Sequence, residues 1–139
     1  MNPRVTVLTL GVDDLDRALA FYRDGLGFAT DGIVGSQFEF GAVVFIQLQA
    51  GLRLALWPRK SIAHDTGLSL SKPSAIDMTL GHNVASKSEV DAVMALARQA
   101  GAVAQVEVSA FEPAVAAATR LATFDHGDQL WDAVAPLGP

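Results

Sequence analysis

The chain contains no cysteine. That absence excludes a disulfide framework, a thiolate nucleophile and every zinc or iron–sulfur site built on thiolates, and it fits a reducing, cytoplasmic setting. Basic residues are scarce as well: ten Lys and Arg stand against fifteen Asp and Glu, for a formal charge of −5 and a pI near 4.9. A chain so poor in cations has no basic stripe with which to neutralise phosphates, so neither nucleic acid nor an anionic membrane is an expected partner. Long apolar runs are also missing. The run at 41–46 falls far short of the roughly 18 residues a membrane-spanning helix needs. The opening run, 5–12, meets Asp13, Asp14 and Asp16 directly with no small-residue cleavage site, so no signal peptide is expected. There is no Gly-x-Ser-x-Gly elbow and no Walker loop, and Gly25-Leu26-Gly27 closes a helix instead of opening one, the wrong polarity for dinucleotide binding.

What is present is a chain of 139 residues, 50% hydrophobic and 18% charged, the size and composition of one domain with a substantial core. A strand is expected at 5–12. A helix follows, with Asp13 or Asp14 as N-cap, a stripe of Leu15, Ala18, Leu19 and Tyr22, and a stop at Gly25 and Gly27. Two β-rich runs, 37–49 and 52–57, flank Ala50-Gly51 and predict an antiparallel hairpin. Residues 58–74 lose periodicity and read as a connector, with Arg59 and Lys60 as a solvated charge pair. The order then repeats. A strand is expected at 76–84, then a helix with the capping box Ser86-x-x-Glu89, a stripe of Val90, Val93, Met94 and Ala97, and a C-cap at Gly101. Strands are expected at 103–108, 117–124 and 129–135, the middle one with an Ala-rich stretch that fits a helix equally well. The sequence Leu-Thr-Leu-Gly at 8–11 returns as Met-Thr-Leu-Gly at 78–81, the mark of an internal duplication. The expected class is α+β with mostly antiparallel sheets: one module at about 4–57, the connector, and a second at about 75–136.

Residues 8–28, with their Val-x-Asp-Leu, Phe-Tyr and Leu-Gly-Phe elements, closely resemble the opening signature of the vicinal oxygen chelate superfamily, which includes glyoxalases, bleomycin-resistance proteins and extradiol dioxygenases. Leu-Ala-Leu-Trp-Pro-Arg at 54–59, His-Asn-Val at 82–84 and Glu-Val-Asp-Ala-Val at 89–93 are similar to one branch of it. The resemblance implies paired βαβββ modules whose curved sheets enclose one pocket. The chain departs from the family where relatives carry Asp-Pro-Asp-Gly, reading Asp125-His126-Gly127-Asp128 instead.

In metal-dependent members, the resemblance implies four ligand positions. Counted from the signature they fall on Val7, Ala55, Thr79 and Asp132. Two hydrocarbons and a neutral hydroxyl leave one carboxylate, so no metal and no other cofactor is expected. His64, His82 and His126 show no ligand spacing. Strand alternation groups Val7 with Thr9, Asp77 with Thr79, Asp132 with Leu130, and Arg53 with Ala55 and Trp57. On that face Trp57 offers a stacking surface and Arg53 an anion clamp, while Asp77 and Asp132 are the candidate general acid and base.

Two functions remain open. One is a metal-free, homodimeric protein that binds a small organic molecule in a pocket lined by Val7, Thr9, Arg53, Ala55, Trp57, Thr79 and Leu130. The other is an enzyme: a glyoxalase-like lyase or isomerase working through Asp77 or Asp132, or a metal enzyme with an atypical site.

Overall fold

The computed structural model describes residues 2–72, 79–109, 118–125 and 130–136, with the strands from residue 103 onward described as backbone. The chain divides into two compact units, Met1–Lys72 and Pro73–Pro139.

The first unit runs β1 (Val7–Val12), α1 (Leu15–Leu19), a π-helical turn (Ala20–Gly25), β2 (Thr30–Val34), β3 (Val43–Gln47), β4 (Arg53–Pro58) and α2 (Arg59–Thr66). Its sheet has the order β1-β4-β3-β2, with β1 parallel to β4 and the other two pairs antiparallel. Asp14 is the N-cap of α1, its Oδ1 accepting the Arg17 N–H at 2.9 Å. The expected stripe of Leu15, Ala18, Leu19 and Tyr22 is buried. It is buried together with Leu10, Val12, Val44, Ile46, Leu54 and Leu56 of the sheet, and each such side chain contributes about 1.5–3 kcal/mol of burial. The wide turn at Ala20–Gly25 places Phe21 and Tyr22 in the same core, edge to face with centroids 5.1 Å apart. At its end Arg23 pairs with Asp24, Nε to Oδ1 at 2.6 Å, and that hydrogen bond holds the exposed Asp24 carboxyl below its ordinary pKa.

Three expectations for this unit need correction. The strand expected at 37–49 is confined to Val43–Gln47, because residues 35–41 form a tight loop in which the Phe38 N–H donates to the Gly35 carbonyl and the Gly41 N–H to the Phe38 carbonyl, both at 3.0 Å. A strand that the periodicity did not place, Thr30–Val34, supplies the further strand that the βαβββ resemblance implied and pairs with β3 across a bulge, where Thr30 Oγ1 donates to the Phe45 carbonyl at 2.7 Å and accepts the Gly32 N–H. The stretch read as a connector holds α2, which starts after Pro58 and stops at Gly67 in the left-handed region (φ 70°). Arg59 is no solvated charge. Its side chain is 20% exposed, lies 3.5 Å from Asp13 and donates to the Ser71 carbonyl at 2.5 Å. The helix closes on the sheet over Gly11, where a Cβ would meet the Arg59 Cγ at 3.0 Å.

The second unit repeats the plan with β5 (Thr79–Asn83), α3 (Lys87–Gln99), β6 (Val103–Ser109), β7 (Ala118–Asp125) and β8 (Leu130–Pro136), in the sheet order β5-β8-β7-β6. Of the middle strand expected at 117–124, residues 118–124 lie in β7, and residue 117 lies outside the described residues. Ser86 Oγ accepts the Glu89 N–H at 3.2 Å, and the Glu89 carboxylate reaches back to the Ala85 N–H, one residue earlier than the usual box. The helix ends in a Schellman motif: Ala102 N–H to Ala97 carbonyl, Gly101 N–H to Arg98 carbonyl, and Gly101 at φ 98°. Among the described residues, no helix is long and apolar enough to cross a membrane.

Candidate ligand site

Alternation sends Leu10, Val12, Val44, Ile46, Leu54 and Leu56 toward α1, so the intervening residues face the other way. On that opposite face lies an open hollow of about 250 Å³ lined by Val7, Thr9, Gly41, Val43, Phe45, Ala55 and Trp57. Four residues singled out from sequence, Val7, Thr9, Ala55 and Trp57, therefore come together. Register explains the grouping, since Thr9 is level with Ala55, Ala55 with Phe45, and Gly11 with Trp57. Ala55, 2% exposed, is the smallest of the strand residues in the lining.

Arg53 shares the alternation. Its guanidinium carbon sits 4.9 Å from the centroid of Phe45, whose ring lines the hollow, an arrangement that keeps the cation beside an apolar wall. The Trp57 indole is fixed at the rim, its Nε1–H donating to the Phe40 carbonyl at 3.2 Å. The lining is hydrocarbon and aromatic apart from the Thr9 hydroxyl and backbone polar groups. It suits an apolar body with few polar anchors.

Phe45, Val43 and Gly41 were not foreseen. Placing β3 antiparallel to β4 about the Ala50-Gly51 turn was enough to find Phe45, because the two strands then bring it directly opposite Ala55. Gly41 reaches the hollow from the loop that the sequence had suggested was a strand.

In the second unit, Thr79 is level with Leu130 and Gly81 with Asp132. If the two Leu-Thr-Leu-Gly-type repeats are superposed, Thr9 matches Thr79 and, by register, Ala55 matches Leu130, whereas counting from the family signature placed the last-strand position at Asp132. The two countings differ by an even number of residues, so both leave the positions on one face. Asp77 and His126 lie outside the described residues, and Asp132, Leu130 and Thr79 are described by backbone and register. His82 is exposed on β5, and His64 on α2 is exposed and stacked against Phe40.

A divalent metal does not fit the first unit at the counted positions: Val7 and Ala55 present only hydrocarbon to the hollow. Among the described residues, no group of three His, Cys, Asp or Glu is placed to hold a metal ion.

Two units of strand, helix and three strands, each with a mixed four-stranded sheet, define an α+β protein of βαβββ modules. A model of the Glyoxalase/Bleomycin resistance protein/Dioxygenase superfamily matches residues 4–112, and the chain belongs to that superfamily. Among solved structures, a glyoxalase-related enzyme from Fulvimarina pelagi is 26% identical and superposes with a TM-score of 0.75, covering 98% of this chain and 93% of its own. A glyoxalase/bleomycin resistance protein/dioxygenase from Nocardioides is 22% identical, with a TM-score of 0.74 over 99% of this chain and 85% of its own. Lactoylglutathione lyase from Agrobacterium tumefaciens is 17% identical, with a TM-score of 0.67 over 97% and 95%. The last two share the fold alone. No curated protein matches the sequence.

Proposed function

We propose that this member of the superfamily is a metal-free binding protein that takes an apolar, ring-containing small molecule into the hollow beside Trp57. The observation that carries the reading is the Ala55 methyl, set between Trp57 and Phe45 where the family pattern implies a glutamate. A missing carboxylate removes a metal donor and leaves room for a guest. Stacking on the indole adds about 0.5–1.5 kcal/mol beyond area burial. Arg53, held over Phe45, is a cation beside this wall and would orient a carboxylate on the guest. The acid–base alternative rests on Asp77 and Asp132, and nothing described of them supports it over the hollow.

Tryptophan fluorescence titrated with a panel of aromatic carboxylic acids tests the reading. Saturable quenching by at least one member is expected in the wild type, with most of the amplitude lost in Trp57→Phe, where Trp131 alone reports. A response of the same size in Trp57→Phe would place the guest elsewhere and defeat the proposal.

A further inference from the structure

Phe40 has an unusual backbone. Its φ of 60° lies in the left-handed region, which a bulky side chain occupies only when its surroundings hold it there. Two contacts do so. The Phe40 ring stacks on the His64 imidazole of α2, with centroids 4.1 Å apart and planes 15° from parallel. Its carbonyl accepts the Trp57 indole N–H at 3.2 Å. The loop gives little slack: a Cβ at Gly41 would lie 2.8 Å from both the Gly35 carbonyl oxygen and the Phe38 Cβ. Gly41 is itself a wall of the hollow. A chain of contacts thus runs from an exposed helix residue, through a strained loop residue, to the aromatic wall of the candidate site.

We infer that His64 is a positioning residue for the ligand site, fixing the plane of the Trp57 indole through Phe40. The imidazole stacks on the ring, the ring sets the direction of the Phe40 carbonyl, and that carbonyl orients the indole N–H. His64 touches neither the hollow nor a guest. Its neighbours on α2, Ile62 and Ala63, face a separate groove with Leu68 and Leu70, and α2 also meets the sheet at Gly11, so the Phe40 stack is a second route from α2 to this wall and the one that ends on the indole N–H. The ligand consequence of the inference rests on the proposed function; the positioning itself does not.

The test reads the indole without a ligand. Nitrogen-15 spectra of the full chain contain two indole N–H signals, since there are two tryptophans, and Trp57→Phe identifies which belongs to Trp57. In His64→Ala the Trp57 signal is expected to move and its hydrogen exchange to speed up about three- to tenfold, the typical worth of one aromatic pair, while the Trp131 signal holds its place. His64→Phe, which keeps a flat ring on Phe40, is expected to restore both readouts. Phe40→Leu keeps the carbonyl but loses the stack, and combining it with His64→Ala is expected to add little beyond either change alone. An unmoved Trp57 signal in His64→Ala, or a fall in melting temperature with both indoles unchanged, overturns the inference. Failure of every aromatic acid to bind the wild type would count against the proposed function alone, because the exchange readout still decides the role of His64.

Discussion

Leucine in place of Ala55 is expected to weaken binding of an aromatic acid by at least about tenfold, or roughly 1.4 kcal/mol, with far-UV circular dichroism unchanged. The leucine side chain would extend from the Cβ of residue 55 into the hollow of about 250 Å³ that it lines with Phe45 and Trp57, where it occupies the space the guest would take. The backbone has no reason to move, since Ala55 lies in a regular register between β1 and β3. Any cost to folding is limited to overpacking, about 1–3 kcal/mol. Calorimetric titration of wild type and variant with one binder from the panel makes the comparison. Equal affinities would mean that the guest does not enter this space.

The largest expected effect on folding is at Tyr22. It is fully buried at 0% exposure, meets Phe21 edge-on at 5.1 Å and 84°, and stacks with Phe28 at 6.2 Å and 24°. Tyr22→Ala removes the ring and leaves a cavity under the sheet, at a cost of about 3–5 kcal/mol, a large share of the roughly 5–15 kcal/mol that holds an ordinary domain together. Urea unfolding should show a midpoint well below that of the wild type. A loss under about 1 kcal/mol would mean that the core is arranged differently around the wide turn.

Elements with a strong hydrophobic period were legible in the sequence, and those without one were not. The stripe on α1 and that on α3 identify both helices; Ser86-x-x-Glu89 marks the N-cap of α3 to the residue, and Gly101, expected as the C-cap, lies one residue past the C-cap Ala100. By contrast, α2 carries only Ile62 and Ala63 as apolar residues among eight, so no stripe announces it. Its signals were at its ends, a proline before the first turn and a glycine in the left-handed region after the last. The strand β2 is equally mute, because Asp31-Gly32 looks like a turn and the bulge there breaks alternation. Residues 37–40 carry two phenylalanines and passed for strand. Their conformation is set by glycine geometry at 35 and 41, a contact across the loop that no local pattern records.

The candidate site was legible to the extent that it lies on two strands with known phase. Parity along β1 and β4 grouped Val7 with Thr9 and Ala55 with Trp57, and the parallel register between those strands placed the two groups on one face. What alternation does not supply is the third strand and the loop. Phe45 depends on the turn that pairs β3 with β4, and the roles of Gly41, Phe40 and His64 depend on a left-handed residue whose position only the folded loop determines.

The central claim is that the site works on apolar surface without a metal, and elemental analysis tests it most directly. The protein is purified without chelator, dialysed, and measured for Zn, Ni, Mn and Fe. With Val7 and Ala55 at two of the counted ligand positions, metal far below one equivalent per chain is expected, in the same sample that binds an aromatic acid through Trp57. Close to one equivalent of any of these metals, retained through dialysis, would contradict the account.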